Sequence, residues 1–220
     1  MKSTNRLLVI SAMAVTCLIT ANIIAVKLVS IWTIVLPAAV IIFPLNYILG
    51  DIITEVYGYR WARRVIWLGF GCNLIFVFFS WISGLLPPAP LWENQDSFDT
   101  ILGYTPRLLL ASFAGYLVGS FANSLVLARL KVITGGKWLW LRTIASTIVG
   151  EGFDTAIFII IAFIATPAFT PLLILYHWCA KVAIEVVATP LTYRAVAYLK
   201  RKDGVDTYDQ KTNFNPFSMQ

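Results

Sequence analysis

The chain alternates long apolar runs with short polar clusters, at a spacing that suits a lipid bilayer better than a water-soluble core. The runs lie at about Leu7–Val26, Trp32–Leu49, Val65–Leu86, Leu108–Leu127, Ile144–Ala165 and Leu172–Ala197. Each approaches the roughly 20 residues that cross about 30 Å of hydrocarbon, with the last run starting late or tilting. A helix satisfies its own backbone in lipid, so the pattern predicts an all-α integral membrane protein of six transmembrane helices. Residues 1–202 read as the six-helix domain and residues 203–220 as a polar, irregular tail; Phe214 and Phe217 could dock on the inner face, but the sequence does not require it.

Composition sharpens the class. Hydrophobic residues make up 59% of the 220 and charged residues only 13%, against about half and a quarter in soluble domains. The net charge of +6 sits in clusters between the runs, which orients spans rather than binding nucleic acid. Lys2 and Arg6 precede the first run; Arg60, Arg63 and Arg64 follow the second. Arg129, Lys131, Lys137 and Arg142 follow the fourth, and Lys200, Arg201 and Lys202 the sixth. The opposite loops, PPAPLWENQDSFDT and TPAFTP, hold acids but no Lys or Arg, so positive-inside places both termini in the cytoplasm. The first run is too long for a signal peptide and reads as an uncleaved span. Trp32, Trp61, Trp67, Trp92, Trp138 and Trp140 sit near run ends, as an aromatic belt does.

Ionisable residues inside spans are expensive and face partners or cavities. Here they are Lys27, Asp51, Glu55, Glu151, Asp154, His177, Lys181 and Glu185, accompanied by Asn22, Asn46, Asn73 and Asn123. Asp51 and Glu55 share a helix face, as do Glu151 and Asp154, and His177, Lys181 and Glu185 form an i, i+4, i+8 stripe. Three polar stripes on apolar helices predict a polar cavity inside the bundle, near Phe43, Tyr47, Phe153 and Trp178. Blander readings stand beside this one. Asp51 and Glu55 also fit interfacial pairs with Arg60, Arg63 or Arg64. Lys181 and Glu185 fit a structural pair, Lys27 a snorkelling side chain, His177 an interfacial polar group, and Asn73 and Asn123 bridges between helices. Gly115 and Gly119 form GxxxG, which fits internal packing or a homodimer seam. Three plus three spans, with Gly50-Asp51 echoed by Gly150-Glu151, would suit an inverted repeat, but both acids lie on one side.

Several chemistries are absent. The sequence has no GxxxxGK[ST], no HExxH, no GxSxG and one His, which argues against an ATPase, a zinc enzyme or a hydrolase. Cys17, Cys72 and Cys179 show no metal or disulfide spacing and read as packing residues. No cofactor or metal is expected. A transporter is favoured over a membrane-embedded enzyme.

Three stretches carry a family resemblance: FPLNYILGDIITEVYGYRWARR from Phe43, GEGFDT from Gly150, and YDQKTNFNPF from Tyr208. They resemble the queuosine precursor transporters of the vitamin uptake transporter group, over nearly the whole chain. The resemblance implies an importer of 7-cyano-7-deazaguanine and 7-aminomethyl-7-deazaguanine in a bacterial or archaeal cytoplasmic membrane, for queuosine salvage. It also implies kinship in fold with the substrate-binding subunits of energy-coupling-factor transporters. For such a purine-like ligand, a carboxylate suits the N1–H and amine edge, an Asn or Lys suits O6, and an aromatic face suits the ring. Glu151 or Asp154 is expected at the donor edge, Asn22, Asn46 or Lys181 at O6, and Phe43 or Tyr47 against the ring. Asp51 is expected at the inner end of the cavity and Glu185 on its wall. Energy coupling stays open between a proton carrier using Glu55, Glu151 or Glu185, a facilitator, and a binding subunit docked on an ATPase module through the small face Ala21-xxx-Ala25.

Overall fold

The computed structural model describes residues 2–31, 34–103, 106–164 and 169–218. Seven α-helices dominate it: α1 Lys2–Ile24, α2 Phe43–Tyr57, α3 Tyr59–Leu85, α4 Gln95–Leu102, α5 Pro106–Ile133, α6 Leu139–Phe163 and α7 Pro171–Asp203. Six helical segments are long and apolar enough to cross a membrane. The short α4 is absorbed into the loop between α3 and α5. Outward-facing Leu74, Ile75, Phe78, Phe79 and Trp81 on α3, and Leu172, Leu175 and Val187 on α7, are exposed as lipid-facing side chains would be.

The second span departs from expectation. Instead of a helix from Trp32, which lies outside the described residues, the chain forms a hairpin of β1 Leu28–Ile31 and β2 Ile34–Pro37. The strands are antiparallel, with Leu28 opposite Pro37. A 3₁₀ turn over Ala38–Ile41 follows before α2 begins, with Pro44 in its first turn. The β-branched residues Val29, Ile31, Ile34 and Val35 favour strand over helix, and pairing satisfies backbone groups that lipid would leave bare. Asp51 and Glu55 both fall within α2, and each is 0% exposed. The basic flanks are helical too: α3 starts at Tyr59 and α6 at Leu139, several residues before their apolar runs. Long Lys and Arg stems favour helix and snorkel.

Small residues set the closest helix contact. A side chain at Gly115 or Gly119 would strike Asp154, and one at Gly150 would strike Asn123, so the GxxxG seam of α5 is spent on α6 inside the chain. That settles packing over a dimer seam for this motif. Ala21 is buried and, with Ala25, faces the interior, so the Ala21-xxx-Ala25 pair is not an outer docking face.

The tail is irregular, and it docks as a strap across the end of the bundle that carries both chain termini. Arg63 Nη1 donates to the carbonyls of Asn213 and Asn215 at 3.0 and 2.8 Å, and Trp67 Nε1 donates to Pro216 at 2.9 Å. Phe214 packs on Tyr59 and Phe217 on Trp67, with centroids 5.0 and 5.7 Å apart. Asp209 accepts from the Tyr59 backbone N–H at 3.0 Å, so the tail supplies the cap that α3 lacks locally. Gly58, at φ 90°, makes this approach; a Cβ there would lie 2.7 Å from Thr207 Cγ2. Burial alone would raise Asp206, but Lys131 and Lys200, 2.5 and 2.9 Å away, hold its carboxyl below the ordinary value.

Gly58→Ala is expected to cost about 1–3 kcal/mol through backbone strain and steric contact, and to expose the tail to protease. Strap docking should also weaken in acid. The depressed carboxyl of Asp206 contributes fully above its unfolded pKa of about 3.9, and that contribution is lost as pH falls further. Limited proteolysis from pH 7 downward checks both.

Candidate functional site

The three polar stripes converge. Lys181 on α7 reaches α6 and places its Nζ 2.8 Å from Glu151 and 2.7 Å from Asp154. The same ammonium lies 4.2 Å from the centroid of Phe43, at the start of α2. The Lys181–Glu185 pairing is thus replaced by a bridge between helices. The turn spacing of α6 puts both acids on one face, and the glycine seam presses that face inward.

A cavity of about 100 Å³ opens above this bridge, away from the strap. Its polar wall includes Asn22, Ser112, Asp154, His177 and Lys181, and its apolar wall includes Phe43 and Phe158. The bundle therefore brings Asn22, Phe43, Asp154 and Lys181 together at one cavity. Ser112 Oγ donates to Asn22 Oδ1 at 3.1 Å and fixes its amide. His177 joins the wall rather than standing apart at the interface. Pro37, Ala39 and Val40, next to the break before α2, complete the lining; non-helical backbone at membrane depth belongs where it lines a cavity.

Other expected residues lie elsewhere. Asn46 and Tyr47 border a separate cavity of about 30 Å³, room for little more than a water molecule or two. Phe153 is half exposed on the outside. Trp178 donates its indole N–H to the Ile148 carbonyl at 3.0 Å. Glu151 sits behind Lys181 and is 1% exposed. Asp51 and Glu185 are buried further toward the strap, where Asn123 donates to Asp51 Oδ1 at 2.6 Å and bridges α5 to α2. Lys27 is exposed on the turn after α1. Sequence reasoning missed Ser112, Tyr116, Thr155 and Phe158 on the cavity wall. An aromatic with a polar tip between two glycines, Tyr116, was a usable signal; a lone Ser or Phe in an apolar run carries none.

Glu55 departs most from expectation. It does not pair with Arg60, Arg63 or Arg64. Its Oε1 lies 2.7 Å from Lys200, 2.9 Å from Arg142 and 3.6 Å from Lys131, joining α2 to α7, α6 and α5. Lys131 also donates to the Glu55 carbonyl and to Thr207 in the strap. Lys131 and Arg142 are each 1% exposed, so two residues that read as surface charges are interior ones.

The sequence model of a family described as "Putative vitamin uptake transporter" matches residues 37–195. The chain belongs to that family. It is a family of transporters, so the enzyme reading gives way. A Bacillus subtilis relative named "Probable queuosine precursor transporter" is 29% identical over 80% of this chain and 78% of its own. The Escherichia coli protein named "Queuosine precursor transporter" is 29% identical over 66% of this chain and 65% of its own. A Haemophilus influenzae relative, again named a probable queuosine precursor transporter, is 27% identical over 55% of this chain and 49% of its own. No solved structure matches.

Glu55→Gln should leave buried Arg142 without its carboxylate, and Lys131 and Lys200 with Asp206 alone. A loss of about 3–5 kcal/mol is expected, as for a buried pair broken on one side. Thermal melting of the detergent-purified variant reads it, and an unchanged melting temperature would contradict the assignment.

Proposed function

We propose that this protein imports 7-deazaguanine precursors of queuosine across a bacterial or archaeal cytoplasmic membrane, with both termini inside, as a secondary carrier or facilitator. The observation that carries the reading is the cavity that joins Asp154, Lys181, Asn22 and Phe43. Those groups match a guanine-like ligand. The Asp154 carboxylate accepts from the N1–H and exocyclic amine, while Asn22 or Lys181 donates to O6. The Phe43 ring lies against the flat heterocycle. The names of the relatives support the ligand class, and the basic loops support the orientation.

On this reading Lys181 has two tasks. In the empty protein it neutralises part of the charge of Glu151 and Asp154. On binding it turns toward ligand O6, and the ligand's donor edge replaces it on Asp154. The exchange of one charged hydrogen bond for another keeps Asp154 satisfied throughout. The hairpin and the break before α2 form the wall best suited to move, because a broken span gives way where a continuous helix resists. The kinship with energy-coupling-factor binding subunits is part of the same proposal, resting on six spans and same-side termini.

Asp154→Asn is expected to weaken binding of 7-cyano-7-deazaguanine about 10- to 100-fold, since a hydrogen bond to a charged group contributes about 1.5–3 kcal/mol. Uptake of labelled ligand by liposomes holding only this protein measures it. Unchanged uptake in both Asp154→Asn and Glu151→Gln would refute the site. Ligand binding without uptake would point instead to a missing energising module. Single-cysteine labelling of the tail from either side of the membrane checks the orientation.

A further inference from the structure

Between the cavity and the Glu55 knot lies a pair of acids that neither one uses. Asp51 on α2 is 0% exposed and Glu185 on α7 is 1% exposed. Asp51 Oδ2 and both carboxyl oxygens of Glu185 have no hydrogen-bond partner among the described residues, nor does Asn123 Oδ1 beside them. The charge of Glu185 reaches Asp51. The charged groups around them are already engaged: Lys181 with Glu151 and Asp154 on α6, and Lys131, Arg142 and Lys200 with Glu55 on α2. From α5 the facing group is the neutral amide of Asn123. Neighbouring acids therefore surround the pair, and no cation is directed at it by any ion pair among the described residues.

Two buried carboxylates with no countercharge cannot both ionise in a low-dielectric interior. A carboxyl proton also supplies the donor that the orphaned oxygens lack. We infer that Asp51 and Glu185 form the proton site of this transporter, sharing a proton that moves with substrate. This rests on the transport reading above. Lys181 connects the two sites. When ligand draws it toward the cavity, Glu151 loses its countercharge. Glu151 is itself within electrostatic reach of Glu185, so the two events are linked by charge. The proton is transferred whole from one carboxyl oxygen to another or to water, and no bond besides O–H changes.

The test uses the full chain in liposomes loaded with a pH-sensitive dye and supplied with labelled 7-cyano-7-deazaguanine. For the wild type, substrate entry should acidify the interior, and an inward proton gradient should speed uptake. In Asp51→Asn and Glu185→Gln the proton flux per substrate should fall about tenfold or more, as loss of the linked proton requires. Infrared spectra of the purified proteins give a second readout that needs no transport. The carboxylic-acid C=O band of the wild type should shrink in both variants. Wild-type proton-to-substrate ratios in both variants, or an unaltered acid band, would overturn the assignment, as would uptake driven by a sodium gradient at equal pH. An acid band that shrinks as expected, with no wild-type uptake of the deazaguanine, would keep the proton site and overturn the substrate reading alone.

Discussion

Glu55 is the constraint on which the inner part of the bundle depends. One carboxylate, 0% exposed, draws cations from three other helices to a single oxygen. No member is cheap to bury alone, so each holds the others in place. The same Lys131 and Lys200 continue to Asp206, and the strap is thereby fastened to the helix ends. Asp203 fastens the last element, bonding both Arg6 on α1 and Tyr57 on α2.

From that knot a polar column runs toward the cavity through an otherwise apolar bundle. Along α2 it passes Glu55, Asp51 and Phe43; along α6, Arg142, Glu151 and Asp154; along α7, Lys200, Glu185 and Lys181. The charge balance changes along its length. Cations dominate at the strap, acids stand without cations in the middle, and one lysine serves two acids at the cavity. The cation-rich end is the most heavily paired part of the column, and the glycine-sealed α5–α6 seam fixes which faces meet at the middle and the cavity end.

The two longest family-like stretches of sequence meet in space. Gly58 and Tyr59 of the first receive Thr207 and Asp209 at the start of the tail, and Arg63 and Trp67 bind the backbone of Asn213, Asn215 and Pro216. Motifs about 150 residues apart in the chain thus form one structure, an α2–α3 turn capped from a distance. Not all of the basic residues there are surface charges: Arg63 is 3% exposed and is spent inside the protein.

The sequence by itself determined the class, the six spans, the basic-side pattern and the faces on which the acids lie. Apolar length and helical period are local properties that survive without neighbours. It pointed Asp154 and Lys181 toward a cavity because polar stripes on apolar helices have nowhere else to turn. Only the tertiary structure decided which charge meets which. Glu55 was legible as a buried or interfacial acid, but its partners at Lys131, Arg142 and Lys200 are 76 to 145 residues away, and sequence spacing carries no information at that range. The hairpin that shortens the second span was hidden inside an apolar run, where periodicity cannot separate strand from helix. The separation of the Lys181 bridge at the cavity from Asp51 and Glu185 was likewise a matter of packing. It depends on how closely Gly115, Gly119 and Gly150 let α5 and α6 approach, and therefore on which turn of each helix faces the next.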